Sequence, residues 1–271
     1  MRRKDQYALI LYAGLAALIW LRDRSWFDAA EDVLPALAAL PLFYLLGKPW
    51  KPSPHPTGSH PTSPLLIALS VLLFVVGIAS NLTLLLAAGW TAGLWCWLKS
   101  AVDVSIHARL RRLLVLPFAA FPWINLDLQG LGWWFRLSGA WATNAILSGA
   151  GLEVTREGTR MLVQGMPVSV DVSCSGLKVL QSLVIAGTLL AYVLLGRSPR
   201  YWWNVALLLP LAWLANTARI LTISLASMTF GPEFAMGLFH TWGGLLVLVL
   251  MFLMSWGIFK FQVPERSLAP A

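Results

Sequence analysis

The chain has 271 residues, of which 58% are apolar and only 12% charged, about half the charged share of an ordinary globular domain. A mean hydropathy of +0.70 and 15 Trp, the residue that collects where hydrocarbon meets water, exclude one or two soluble domains and mark a polytopic membrane protein. The net charge of +8 does not point to nucleic acid, because the basic residues lie between apolar runs and form no stripe; Cys96 and Cys174 are too few for a disulfide framework.

A spanning helix needs roughly 20 mostly apolar residues and can be as short as about 17. That rule predicts eight spans at 6–22, 33–47, 64–80, 82–98, 112–126, 176–196, 201–222 and 239–259. The first is apolar from Tyr7 to Leu21, and no small-residue cleavage site precedes Arg22-Asp23-Arg24, so it reads as a retained span and not as a signal peptide. Residues 48–64, KPWKPSPHPTGSHPTSP, are rich in Pro and Ser and read as a cytoplasmic linker. His55 and His60 within it have no acidic or Cys partner, so no metal site is expected there. The run 65–98 would be about 51 Å long as one helix, too long for a bilayer, and is expected to fold back at Ser80-Asn81. Pro117 and Pro122 make 112–126 the poorest of the spans.

After it, 131–148 carries Trp133, Trp134, Phe135, Leu137, Trp141 and Ile146 among small polar residues, the pattern of a helix at the membrane interface. Residues 152–173 alternate apolar and polar, with Glu157-Gly158 and Gly165 as turns, and predict a small β-meander. The fold class is therefore an all-α polytopic membrane protein with an interfacial helix and a small extracytoplasmic β element. Three regions are expected: an N-terminal membrane region over 1–110, a membrane core over 111–260 and a cytoplasmic tail over 261–271.

Charge orients the spans. With the N-terminus in the cytoplasm, the inner segments 1–5, 48–63, 99–111, 197–200 and 260–271, with Arg112 at the edge of its span, hold 13 Lys/Arg and only Asp5, Asp103 and Glu265 as acids. The two sides then carry +10 and −2, the Lys/Arg bias of inward-facing loops. Both termini are expected in the cytoplasm.

Reactive groups at membrane depth are costly and ask for a reason. Cys174, Arg219 and His240 lie 23, 19 and 20 residues from Arg197, Arg200 and Lys260, cytoplasmic basic anchors in each case. At 1.5 Å per residue those separations are about 35, 29 and 30 Å, one bilayer thickness. All three are thus expected at the outer rim, on consecutive and hence neighbouring helices. A thiolate is a strong nucleophile, imidazole can accept and return its proton, and a guanidinium can hold a carboxylate or a developing oxyanion. Together they suggest acyl transfer at the water–lipid boundary.

Single residues of these kinds more often pack or anchor. Cys96, in LWCWL near the inner end of its helix, reads as packing. Lys178 either lends Cys174 a positive field or snorkels outward, and Asn216 is interhelical glue or part of the site. A transporter would place polar groups at mid-depth in several helices, and 178–196 and 239–259 offer almost none. A non-catalytic assembly factor of an envelope export pathway, with Cys174 incidental, is the other alternative.

The segments Val172-Ser-Cys174-Ser175-Gly176-Leu-Lys178, Ala215-Asn216-Thr-Ala-Arg219-Ile and Phe239-His240-Thr-Trp-Gly-Gly, with Gly151-Leu-x-Val before them, resemble the exosortase/archaeosortase family in order, spacing and membrane side. The resemblance covers about 110–260, and the first hundred residues carry no matching motif. It implies a membrane cysteine transpeptidase-like protease with Cys174 as nucleophile, Arg219 as stabiliser or thiolate partner and His240 as acid/base. Ser175, Gly176, Lys178 and Asn216 would support or bind substrate. The implied partners are membrane-anchored proteins with a C-terminal sorting tail (a short Pro-Glu-Pro-like motif, one spanning helix and a basic cluster), the bilayer itself, and an unidentified acceptor. No cofactor, metal or nucleic acid is implied. Val263-Pro264-Glu265-Arg266 falls on the inner side and is not such a motif.

Overall fold

Hydrocarbon offers no partner to a peptide group, so a chain of this composition must close its backbone hydrogen bonds within helices. The computed structural model describes residues 3–25, 30–53, 63–170, 177–196, 198–231, 233–234, 237 and 242–263, and these are mostly helical. In chain order they form α1 (Arg3–Arg22), α2 (Ala30–Leu46), α3 (Pro64–Ser80), α4 (Thr83–Ala101), a 3-10 turn (Val104–Ile106), α5 (His107–Leu113), α6 (Val115–Ala119), α7 (Trp123–Asp127) and α8 (Gln129–Gly149). Then come β1 (Val154–Glu157), β2 (Arg160–Val163), β3 (Met166–Ser169), α9 (Leu177–Leu195), α10 (Tyr201–Phe230) and α11 (Gly243–Phe261). Packing divides the chain into Met1–Asp127 and Leu128–Ala271.

In the first unit, α3 and α4 form a hairpin that turns where the length of the run required. Pro64 opens α3 and Asn81 closes it in the left-handed region at φ 59°, a conformation that Asn tolerates. The Leu82 amide then donates to the Gly77 carbonyl at 3.0 Å. The helices meet closely because small residues line the seam. A Cβ on Gly89 would lie 3.0 Å from the Ser70 carbonyl oxygen, and the Ser70 hydroxyl donates to the Gly89 carbonyl at 2.8 Å.

The span expected at 112–126 is not one helix. It is α5, α6 and α7, interrupted at Leu114 and again before Trp123, with Pro117 inside α6 and Pro122 just ahead of α7. The pieces still carry the chain from one end of α4 to the other. At one end His107 packs on Trp95 of α4 with ring centroids 5.6 Å apart; at the other the Asp127 carboxylate accepts from the Leu84 amide. Between them the Ala120 carbonyl, left open by the break, accepts from Trp20 Nε1 at 2.9 Å.

Loop pairing within this unit follows the predicted alternation. The segments after α2 and after α4 join at one end: Pro52 and Val102 form a bridge, and Arg109 Nη2 donates to the Gly47 carbonyl at 2.8 Å. At the opposite end Arg22 Nη2 donates to the Asn81 carbonyl at 2.9 Å. Ser25 hydrogen bonds hold the Asp23 carboxyl below the usual carboxylate range, and those of Ser105 do the same for Asp103.

In the second unit the amphipathic run is helical as α8, with Trp133, Trp134 and Trp141 exposed and Gly132, Phe135, Gly139, Ala140, Thr143 and Leu147 buried. The expected meander follows as an antiparallel sheet of order β1-β2-β3, with Gly158 and Gly165 at φ +61° and +78° in its turns. Met161, Val163 and Val168 of the sheet share a core with Leu147 of α8 and Ile220 of α10, and Leu221 and Met228 pack against it.

Among the described residues, α10 is the one helix long and apolar enough to cross a membrane by length and composition, while Gln6–Arg22, Val33–Leu46, Pro64–Ser80, Leu180–Leu195 and Leu248–Phe261 are apolar but shorter. The eight spans of the sequence reading thus become one long helix, several short ones and one traverse in pieces. α10 also outruns its expected end at 222, reaching Phe230.

The α3–α4 seam sets a clear expectation. Gly89→Leu must push the helices apart at the Ser70 carbonyl and should lower stability by about 1–3 kcal/mol, the usual range for overpacking. Gly14→Ala on α1 has open space around its Cβ and should leave the midpoint unchanged or slightly raised. Thermal unfolding in detergent compares the two.

Candidate functional site

Arg219 and Asn216 sit on α10, whose inward face comprises Tyr201, Asn204, Leu208, Leu211, Ala215 and Arg219 among others. These are spaced three and four apart, the repeat of one helix face. Arg219 is 7% exposed and Asn216 1%, so neither is a snorkelling surface residue.

Two contacts fix the register of the neighbouring helices. α9 and α10 are antiparallel, joined by a short connection after Leu195, and Gly187 lies so close to α10 that a Cβ there would run into the Leu208 side chain. Leu177 is ten residues from Gly187, and Arg219 eleven from Leu208, about 15 and 17 Å along their helices. The start of α9 is therefore level with Arg219. Eleven residues are also three turns and a small remainder, about 20°, so Arg219 lies on the stripe that Leu208 turns towards α9. On the other side Asn204 and Gln262 exchange amide hydrogen bonds of 2.8 and 3.1 Å. Counting from that pair, Arg219 is about 22 Å along α10 and Gly243 about 28 Å along α11, which puts the start of α11 about one turn beyond Arg219. Each of α9, α10 and α11 packs against the other two.

The guanidinium thus occupies a three-helix junction at the end where α9 and α11 begin. Cys174 and His240 each stand three residues ahead of those helix starts in the sequence, and they, with Ser175 and Gly176, lie outside the described residues. Lys178 is the second residue of α9. Cys96 is buried within α4 of the other unit.

The structure adds groups that the sequence reading passed over. Gln181, 2% exposed one turn into α9, is buried six residues, about 9 Å, from the Gly187 contact and so near the level of Asn216. Thr188 on α9 and Ser255 on α11 are wholly buried. The interiors of 178–196 and 239–259 are therefore less apolar than expected. A lone amide in LKVLQSLVIAGTLL was the available signal for Gln181. On the opposite flank α8 is held to α10 by Trp213 Nε1 donating to the Ser138 hydroxyl at 2.8 Å and by the close fit of Gly139 against Ile220.

No group of three or more His, Cys, Asp or Glu able to hold a metal occurs among the described residues. Among the described residues, the junction supplies the Arg219 guanidinium and the amides of Asn216 and Gln181 in a low-dielectric setting, group types suited to holding an anion or a developing oxyanion.

The model for the transmembrane exosortase family matches residues 2–257, which takes in the first hundred residues as well as the motif-bearing part. Neither a curated protein nor a solved structure matches the chain.

Among the described residues, neither Oδ1 nor Nδ2 of buried Asn216 has a hydrogen-bond partner. An unsatisfied buried polar group costs roughly 1–3 kcal/mol. Asn216→Leu, similar in volume, should therefore raise the thermal midpoint in detergent; a lowered midpoint would mean that the amide is structural glue.

Proposed function

The chain belongs to the transmembrane exosortase family, and from that premise we infer that it is a cysteine endopeptidase/transpeptidase of the cell's inner membrane, acting on membrane-anchored proteins with C-terminal sorting tails. Cys174 is the nucleophile, Arg219 the electrostatic stabiliser and His240 the acid/base. The observation that carries this reading is the burial of Arg219 at the junction of three mutually packed helices, two of which begin three residues after Cys174 and His240.

The chemistry follows from those groups. His240 takes the Cys174 proton, and the thiolate attacks the carbonyl carbon of the scissile peptide bond, forming a C–S bond and an oxyanion. The Arg219 guanidinium balances that oxyanion. Collapse breaks the C–N bond, His240 returns the proton to the leaving amine, and the tail departs from a thioester. Water or an amine acceptor then attacks the thioester and regenerates the thiol. Arg219 also suits the glutamate of the tail motif, a role of the same charge in an earlier step.

The orientation is part of the reading. The loops after α2 and α4 share one end of the first unit, and the turns after α1 and α3 share the other. The Lys/Arg bias assigns the former to the cytoplasm. Both termini are then cytoplasmic and the site faces outward. A sorting tail fits this arrangement, its basic end resting inside while its motif meets the outer rim.

The test is co-expression with a protein ending in motif, apolar span and basic cluster, followed by mass spectrometry of its C-terminus. Cys174→Ala should leave the tail intact while inserting normally; tail removal by that variant ends the proposal. Arg219→Lys should slow cleavage by about 10²–10³-fold, the usual effect of losing an oxyanion partner. A transport reading would draw on the same buried polar groups but predicts no effect of Cys174→Ala. An impermeant thiol reagent applied to the outer face should label Cys174 and spare buried Cys96; the reverse pattern would place the thiol on the wrong side.

A further inference from the structure

The basic end of the first unit is a constructed surface, beyond a mere excess of charge in loops. Two segments some fifty residues apart are clasped there: the Ser53 amide donates to the Ala101 carbonyl at 3.0 Å and the Asp103 amide to the Lys51 carbonyl at 2.8 Å. Arg109 locks the clasp by donating to the Gly47 and Pro49 carbonyls at 2.8 and 3.2 Å. The result gathers Lys48, Lys51, Lys99, Arg109, Arg111 and Arg112, with Asp103 as the one acid among the described residues of these segments. Among the described side chains, the opposite end of the same unit has Arg22 and Arg24 against Asp23 and Asp127. Positive charge is therefore concentrated at one end of the unit.

The surface has the build of a membrane boundary. Lys48 lies 5.3 Å above the Tyr44 ring and Lys99 5.8 Å above Trp95, in each case one helical turn past the aromatic at the end of an apolar helix. Trp50 stacks on Tyr44 and donates its Nε1 to the Tyr44 carbonyl. Aromatic rings seated at the hydrocarbon edge with cations just beyond them match the layering of acyl chain, glycerol and phosphate.

We propose that the clasp of residues 47–53 with 101–112 is a binding site for anionic phospholipid headgroups, their phosphates held by Lys48, Lys51 and Arg111 while the acyl chains lie along α2 and α4. Lys48, Lys51 and Arg111 are exposed and the clasp does not use their side chains for backbone hydrogen bonds, whereas Arg109 is committed to holding the loop. The site is separate from the peptide-cleavage reading and stands whether or not Cys174 is a nucleophile.

The experiment uses the full chain, purified in a neutral detergent and stripped of lipid. Cardiolipin added in mixed micelles should raise the thermal midpoint, and phosphatidylcholine or inorganic phosphate at equal phosphate concentration should not. Each Lys or Arg at an anionic surface is worth about fivefold in partitioning, so a K48Q/K51Q/R111Q variant should bind cardiolipin at least tenfold more weakly by native mass spectrometry. An R156Q/R160Q variant in the β-meander should bind as the unaltered protein does. Equal shifts from phosphatidylcholine or from inorganic phosphate, or equal cardiolipin affinity in the K48Q/K51Q/R111Q variant, overturn the proposal. If that variant does not fold, single K51Q and R111Q proteins carry the same comparison, each expected to lose severalfold.

Discussion

A peptide group in hydrocarbon must find its partner within the protein, and several of the described departures from helix show how that demand is met. The α3–α4 turn is closed by the Leu82 amide on the Gly77 carbonyl. The break after α6 is closed by Trp20, which reaches across a hundred residues to the Ala120 carbonyl. The start of α4 is met by Asp127. The β-sheet, with its open edges, is confined to a single three-stranded meander whose buried face packs on α8 and α10. At the Ala120 break and the α4 start a side chain stands in for a missing backbone partner.

The same constraint makes polar side chains inside the second unit informative. Asn204 and Gln262 satisfy each other, which is ordinary interhelical glue. Asn216 and Arg219 lie deeper along α10 and are buried in a helix of otherwise apolar and small residues. Charge interactions at such a buried position are screened less than at the surface. Family membership names the kind of protein this is; the burial of Arg219 is the physical feature that makes this position stand out along α10.

Much of this was legible in the sequence because the signals were local. Asn81 announced the hairpin through run length, and Gly158 and Gly165 announced the meander through alternation and turn chemistry. Arg219 announced itself as a charge in an apolar stretch, and counting residues from Arg200 put it level with the α9 start that the Gly187–Leu208 contact independently gives. Other features were not local. Pro117 and Pro122 signalled trouble in 112–126, but the survival of the traverse as three pieces depends on Trp20 and Asp127, far away in the chain. Gln181 looked like one polar residue among many until burial singled it out. The first hundred residues carry no short motif, yet the family match includes them.

The extra length of α10 has a mechanical consequence. From Arg219 to Met228 the helix is continuous, about 14 Å of rod, and it packs on the core it shares with the sheet through Ile220, Leu221 and Met228. Below Arg219 the same rod contains Pro210, where a missing amide removes one backbone bond and makes the helix easiest to bend. Sheet and guanidinium therefore share one stretch of rod, and the point where that rod yields most easily lies nine residues from the charge, at Pro210.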